Sequence, residues 1–403
     1  MKKKLLSILL CTMLVSISLL ACGNGGNEAV EVDTGNDEAV ETPVEPANDA
    51  DENEADVEEP ANDEVGGGEG PLAGKRVAVI RNLVAGDHTQ QFLAGTVEEG
   101  ERFGMIVDTF VTDGDDDRMK STVAQAISQG YDALIISHAQ LSYAYDMLLP
   151  AREAGIEVVT FDSMPMRGGD PEGELLEGVT STAQDDAALA ELSLGHMIDE
   201  HRERGGEFPV RVLKTFMGPG IPPLDRRDVI YRRLEEEGYI YTVNTVSPAD
   251  FSNVRGDSTM MTAAMLPTFA PGDVDAVWGS FDEMAKGVLD AFLEAGRYDI
   301  PIYYIDISND NIVLMLRNPE IFRSSAAVDP RLIGIVNMRL VALKLAGYDT
   351  PDFFDLAANN ILVEQLEEDT TMDTLGDIIP GWGDPNDPVA ALYTDTIRAM
   401  YVN

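Results

Sequence analysis

From Arg76 onward the chain alternates short, almost unbroken apolar runs with longer amphipathic stretches, and that rhythm constrains its fold more than any other feature. Arg76–Ile80, Met105–Val111, Tyr131–Ser137 and Glu157–Ser163 read as strands; Thr89–Phe103, Asp116–Gln129 and Leu141–Ala154 read as helices. Strands that are apolar throughout, rather than at every second residue, belong to a parallel sheet covered on both faces. A second series follows: a long helix capped at Gln184-Asp185-Asp186 and ending near Arg204, strands at Val210–Met217, Tyr239–Val246, Asp275–Gly279 and Ile300–Ile307, and helices at Pro222–Glu237, Asp257–Phe269 and Asp282–Ala295. One open sheet rarely carries so many strands. The expected architecture is therefore α/β, with two doubly wound parallel-sheet lobes.

The N-terminus has a different character. Lys2-Lys3-Lys4 precedes an apolar run from Leu5 to Leu20 and then Ala21-Cys22, the pattern of an export signal. The run is short and interrupted by Ser and Thr, which makes it marginal for spanning a bilayer. Leu19-Leu20-Ala21-Cys22 resembles the bacterial lipobox, which implies cleavage after residue 21 and lipidation of Cys22, the thiol carrying a diacylglyceryl group. Two or more acyl chains anchor a protein stably. From Gly23 to Gly70 there are 17 Asp or Glu, no Lys or Arg and no aromatic residue, so residues 22–71 are expected to form a disordered acidic tether.

Charge narrows the functional classes. Seventy-two acids against 28 bases give a net charge of -44, which rules against nucleic acid and against docking on anionic lipid through a basic patch. Beyond the tether only five bases are Lys, and a Lys-poor acidic exterior suggests a saline or alkaline habitat where salt screens self-repulsion. Cys11 and Cys22 both lie in the signal region, leaving no cysteine for a disulfide framework or a thiolate metal site.

In open α/β sheets ligands bind beyond the carboxyl ends of strands. The polar residues just past those ends are Asn82, Ser137-His138, Asp162-Ser163, Asp282 and Asp306, with Arg226 and Arg227 at the start of a helix. Carboxylates and guanidinium groups each bond two adjacent hydroxyls, which suits a polyol, and Phe251, Trp278 and Phe281 offer rings to stack on its apolar face. Each of these residues, taken singly, reads more readily as a turn residue or a helix cap. The set points to a binding cleft.

The stretches Gln129-Gly-Tyr-Asp-Ala-Leu-Ile-Ile136, Ala154-Gly-Ile-Glu-Val-Val-Thr-Phe-Asp162, Pro248-Ala-Asp-Phe251 and Asp282-Glu-Met-Ala285 resemble the ribose-binding-protein-like family of periplasmic sugar-binding proteins, the receptors of ABC importers. The resemblance covers about Lys75 to Glu364. It implies a type I periplasmic-binding-protein fold whose lobes close on a sugar about a three-segment hinge, here near Asp185, Val328 and Asp355–Asn360. The lobes it implies are 72–184 plus 329–357 and 185–328 plus 358–403. Among the family's ligand positions, Asp162, Arg227, Phe251 and Asp306 match in kind, and Asn82 and Ser137 are different polar residues. His88-Thr89 replaces an aromatic pair, Ser163 an Arg, Phe281 an Asn and Val328 a Gln. These departures point away from ribose itself. The chain after Glu364, with Pro380-Gly-Trp-Gly383, extends past the ribose-binding protein.

Other signals weigh less. His196 and His201 are five apart and share no helix face, so they make a poor metal pair. Asp113–Asp117 lacks a calcium loop's spacing and reads as a helix cap. No G-x-S-x-G, phosphate-binding loop or placed Ser-His pair appears, so the expectation is a monomeric binding protein without cofactor or metal, and not an enzyme. The expected role is capture of a sugar or polyol and delivery to an ABC permease from a lipid anchor at Cys22. The alternatives are a sensor subunit for a membrane kinase or chemoreceptor, a receptor for a nucleoside or furanose-like signal, and a surface hydrolase.

Overall fold

The computed structural model describes residues 70–83, 86–218, 221–249 and 253–402. The signal segment, Cys22, the acidic tether up to residue 69 and Phe251 lie outside the described residues.

The first lobe begins β1 (Arg76–Arg81), α1 (Asp87–Arg102), β2 (Ile106–Val111), α2 (Asp116–Ser128), β3 (Ala133–Ser137), α3 (Leu141–Glu153), β4 (Glu157–Phe161) and β5 (Val179–Gln184). The chain then enters the second lobe with α4 (Asp186–Glu203), β6 (Val210–Thr215), α5 (Pro222–Glu236), β7 (Ile240–Val246), α6 (Val254–Met265), β8 (Ala276–Gly279), α7 (Asp282–Ala295), β9 (Ile302–Ile305), α8 (Asn309–Arg317) and β10 (Phe322–Ala327). It returns to the first lobe for α9 (Pro330–Leu345) and β11 (Phe353–Leu356), and crosses again to β12 (Asn359–Leu362). Two short helices follow, α10 (Leu375–Ile378) and α11 (Asp395–Ala399).

The sheets have the same design. The first runs β11-β5-β4-β3-β1-β2 and is parallel throughout; the second runs β12-β10-β9-β8-β6-β7 and is parallel except for β12 against β10. In both, the strand order reverses beside the first strand of the lobe, between β1 and β3 and between β6 and β8. Those are the switch points at which two consecutive crossovers leave the sheet on opposite faces and open a crevice. Among the described residues the core is made of three apolar clusters. One closes the outer face of the first sheet around Ile80, Leu134 and Val158. Another closes the outer face of the second around Val277, Phe292 and Phe322. The third runs from Val79 and Phe92 through the crossing residues Leu189, Val328 and Leu356 to Val212 and Trp278.

Two buried strands, β5 (VTSTAQ) and β10 (FRSSAA), carry hydroxyls where their neighbours carry valine and isoleucine. Burial of a hydroxyl is tolerated only when it is bonded. In β5, Thr182 Oγ1 donates to the Thr160 carbonyl at 3.0 Å, and Thr160 Oγ1 lies 2.9 Å from Ser181 Oγ.

The C-terminal segment corrects the expected lobe boundary. Met372, Leu375, Ile379 and Trp382 bury themselves in the second lobe's outer cluster, as the assignment of 358–403 to that lobe requires. Beyond Gly383 the chain leaves it. The Tyr401 ring packs 4.9 Å from Phe103, Val402 N donates to the Arg102 carbonyl at 2.9 Å, and Arg339 of α9, fully buried with Glu99 of α1, donates to the carbonyls of Pro385 and Ala391. Residues 385–402 therefore belong to the first lobe, where their contacts with Glu99, Arg102, Phe103 and Arg339 lie. Besides the three hinge segments, a strap joins the lobes. It crosses at Gly383, where a Cβ would lie 2.1 Å from Asp329 Oδ2 at the start of α9.

Candidate functional site

The cleft between the lobes is lined by residues that follow the parallel strands, and their backbones are unusual. His138, Asp162 and Asp306, each one residue beyond β3, β4 and β9, have φ of 64°, 45° and 73°. The left-handed region disfavours side chains with a Cβ, and His and Asp tolerate it better than most. Strain of this kind concentrates at functional sites, and here it recurs at three strand ends that converge on one cleft.

On the first-lobe wall the organising group is Arg81, the last residue of β1 and fully buried. Its Nε donates to Thr89 Oγ1 at 3.1 Å, one terminal nitrogen to Ser137 Oγ at 2.8 Å and the other to His88 Nδ1 at 2.6 Å. Its guanidinium lies 4.5 Å from the centre of the Phe92 ring. Burial lowers its pKa to about 9, with Asp162 pulling the other way. Ser137 Oγ is also 2.6 Å from His138 Nδ1, and His138 Nε2 is 3.9 Å from Asp162 Oδ2. Burial and the Arg81 charge together hold His88 down to about 3 and keep His138 well below the usual histidine range, so both imidazoles are neutral. The fold thus places a Ser-His pair that sequence spacing did not disclose.

Asp162 faces the second lobe. Burial, then the nearby Asp186 carboxylate, pushes it up to about 7 against the pull of Arg226 and Arg227. Its Oδ1 is buried without a hydrogen-bond partner. Such an acceptor is expensive to leave unpaired, and an incoming hydroxyl is the natural donor.

The second-lobe wall is built on α5. Arg227 is buried, its Nε donating to Asp186 Oδ1 at 2.8 Å and NH1 to the Ser280 carbonyl at 2.7 Å and Asp306 Oδ2 at 3.3 Å. Arg226 holds the other Asp186 oxygen at 2.8 Å. Below them Asp282 pairs with Lys286 at 2.9 Å and is raised to about 6 by burial. Phe281 stands half-buried at the N-cap of α7. The mouth is bridged where Asn309 N donates to Asp87 Oδ2 at 3.0 Å and Gln91 Nε2 to Asp373 Oδ1 at 2.7 Å.

Of the residues expected at the cleft, His88, Thr89, Ser137, Asp162, Arg227, Phe281, Asp282 and Asp306 are gathered around it. Four are placed otherwise, among them Trp278, which is fully buried in the core with its ring 5.0 Å from that of Tyr231. The Asn82 amide is engaged by Thr112 and Asp116, and holds the loops behind the wall together. Ser163 is buried, accepting from Ala139 N at 2.7 Å and bonding the Phe161 carbonyl. Val328 packs in the core at the crossing from β10 to α9, an apolar side chain with no reason to face a polar cleft. Arg81 and Asp186 were passed over, one lying just beyond the strand read as Arg76–Ile80 and the other read as part of a helix cap. A charge closing an otherwise apolar strand was the available signal for Arg81. Asp115, as expected of an acidic run, caps α2 by accepting from Asp117 N and Arg118 N. Among the described residues no helix is long and apolar enough to cross a membrane.

Comparison with known proteins places this architecture. The chain is 25% identical over 240 residues to the ribose import binding protein of Bacillus subtilis (strain 168), covering 60% of this chain and 72% of that one. The crystal structure of a sugar ABC transporter protein from Yersinia enterocolitica subsp. enterocolitica 8081 superposes with a TM-score of 0.68 at 35% identity, over 81% of this chain and 95% of that one. The solute-binding protein of a 5-methylthioribose transporter from Thermotoga lettingae TMO, solved with 5-methylthioribose, has the same fold, with a TM-score of 0.64 at 23% identity over 78% of this chain and 97% of that one. The family model described as a periplasmic binding protein domain matches residues 77–349, and the chain belongs to that family.

Proposed function

We propose that this chain is an extracytoplasmic solute-binding protein that closes two lobes on a sugar or polyol and presents it to the permease of an ABC importer. The observation that carries the reading is Asp162, a buried carboxylate with an unpaired oxygen on one lobe, facing the Arg227–Asp306 pair on the other. A polyhydroxyl ligand satisfies both at once, donating to the carboxylates and accepting from the guanidinium and the imidazoles. Most of the cleft's charges are already paired within its walls, Arg226 and Arg227 with Asp186 and Lys286 with Asp282 and Glu283. A neutral polyhydroxyl ligand suits such a site. A ligand touching both walls only when they are together favours closure by its differential affinity. Micromolar affinity corresponds to about 8 kcal/mol, within reach of several charge-assisted hydrogen bonds.

Tethering through a lipidated Cys22 would keep the lobes near the membrane while the acidic segment gives them reach. The Ser137–His138 pair does not argue for hydrolysis, because Ser137 Oγ is fully buried under Arg81 and has no path to a substrate carbonyl. Recovery of the ligand chemically altered after incubation would contradict the binding-protein reading. Asp162→Ala and Arg227→Ala should each weaken binding at least tenfold in calorimetric titration of the folded variants. Unchanged affinity in both would place the ligand elsewhere.

A further inference from the structure

We propose that Arg81 is a positioning residue that fixes the protons of His88 and His138 on Nε2, so that His138 presents an Nε2–H donor to the cleft beside Asp162. The argument uses the direction of each hydrogen bond and rests, for the ligand's part, on the sugar or polyol reading. A guanidinium can only donate. Since Arg81 lies 2.6 Å from His88 Nδ1, that nitrogen must be the bare one, and the ring proton sits on Nε2. Arg81 also donates to Ser137 Oγ at 2.8 Å, which leaves the serine hydroxyl with its own proton to place. His138 Nδ1 lies 2.6 Å from that oxygen. If Nδ1 carried the proton, the fully buried serine hydroxyl would have no acceptor. With Ser137 donating to Nδ1, every group is satisfied and the His138 proton falls on Nε2, facing Asp162 Oδ2 at 3.9 Å.

The groups facing the two rings agree with this arrangement. His88 sees Arg81, His138 and, beside it on α1, Asp87. His138 sees Arg81, His88 and Asp162, behind which stand Asp186, Arg226, Arg227 and Asp306 of the second lobe. Burial disfavours a second proton on either ring, and the Arg81 charge adds to it. Among the described residues no carboxylate pairs with Arg81 directly, so its charge acts on the histidines unscreened by a counter-ion in contact. The first-lobe wall therefore offers a neutral His138 Nε2–H donor beside the unpaired Asp162 acceptor, with His88 held in the same tautomer. Neighbouring hydroxyls match it when one donates to Asp162 and another accepts from an imidazole. A thioether or deoxy position at the second hydroxyl forfeits that donor.

The test is nitrogen-15 NMR of the imidazoles in the ligand-free full chain, with His88→Gln and His138→Gln to assign them. The expected spectrum has both rings bare at Nδ1, protonated at Nε2 and without titration between pH 5 and 8. In Arg81→Met the rings should mix tautomers, and the His88 pKa should move from about 3 toward the ordinary 6.5. Arg81→Lys, which keeps the cation but not the fork, should retain the low pKa while losing the fixed tautomer. Protonation at Nδ1 in the wild type, or titration of either ring near 6.5, would overturn the proposal even if the variants fail to fold. No ligand enters the measurement. Failure of the sugar or polyol reading would show instead as an unfolding midpoint indifferent to those compounds while the NMR result stands.

Discussion

Asp162 shows how one residue in this cleft is both a binding group and a liability. Its folded-state pKa of about 7 stands above the ordinary aspartate value of about 4, so the folded chain holds that proton more tightly than the unfolded chain does. Stability from this group is present below about pH 4, is lost as pH rises toward 7, and changes no further above that. The two histidines act in the opposite sense, losing stability below about pH 6.5, and a variant comparison cancels them. Asp162→Asn should gain over the wild type in thermal unfolding without ligand, by nothing at pH 4 and by a growing margin up to pH 7. A constant difference across that range would mean that the carboxyl is not held neutral by burial. The sequence set Asp162 and Asp306 just past apolar strands and Arg227 near the start of a helix, and the structure brings the three within one another's field. Asn82 and Ser163 find their partners within their own lobe, which position along a strand end does not disclose, and Val328 packs in the core as an apolar side chain does.

At the scale of elements, the apolar strands and amphipathic helices were readable because their periodicity is a direct image of what they bury. β5 and β10 were not, since several of their hydroxyls enter the core through bonds to neighbours remote in sequence, such as Thr182 with Thr160 and Asn337, and Ser325 with the Asp306 carbonyl. The α1–α9 contact is set by glycine: a Cβ on Gly95 would fall 2.1 Å from the Arg331 carbonyl, and one on Gly334 2.2 Å from the Phe92 carbonyl. Gly334→Ala should push the helices apart and destabilise the chain by about 1–3 kcal/mol in denaturant unfolding, with no loss of helical circular dichroism. The strap was invisible as such, because nothing local marks Ala391, Ile397 and Met400 as belonging to the other lobe from Trp382. Its crossing includes exposed Asp384 and Asn386. A protease site introduced there and cut in the folded protein should widen the interlobe distance distribution measured between spin labels. An unchanged distribution would mean that the three hinge segments alone set the range of motion.

The whole molecule carries an acidic excess far beyond what its cleft uses. Removing the tether's 17 acids still leaves 55 acids against 25 bases once the signal lysines are set aside. Self-repulsion on this scale weakens the compact state, and mobile ions relieve it. The unfolding midpoint should therefore climb as sodium chloride is raised from low to molar concentration. A flat response would remove the basis for a saline habitat. The two-lobe architecture is what turns local chemistry into capture, since Asp162 and Arg227 are remote in sequence and meet only across the cleft. The decisive measurement is thermal unfolding of the full chain in high salt against pentoses, hexoses, polyols and nucleosides. A ligand at 100 times its dissociation constant adds about 2.7 kcal/mol, enough to move the midpoint by several degrees. The account predicts such a shift with a sugar or polyol, abolished in Asp162→Ala. A shift with nucleosides alone, or none across the whole panel, would contradict it.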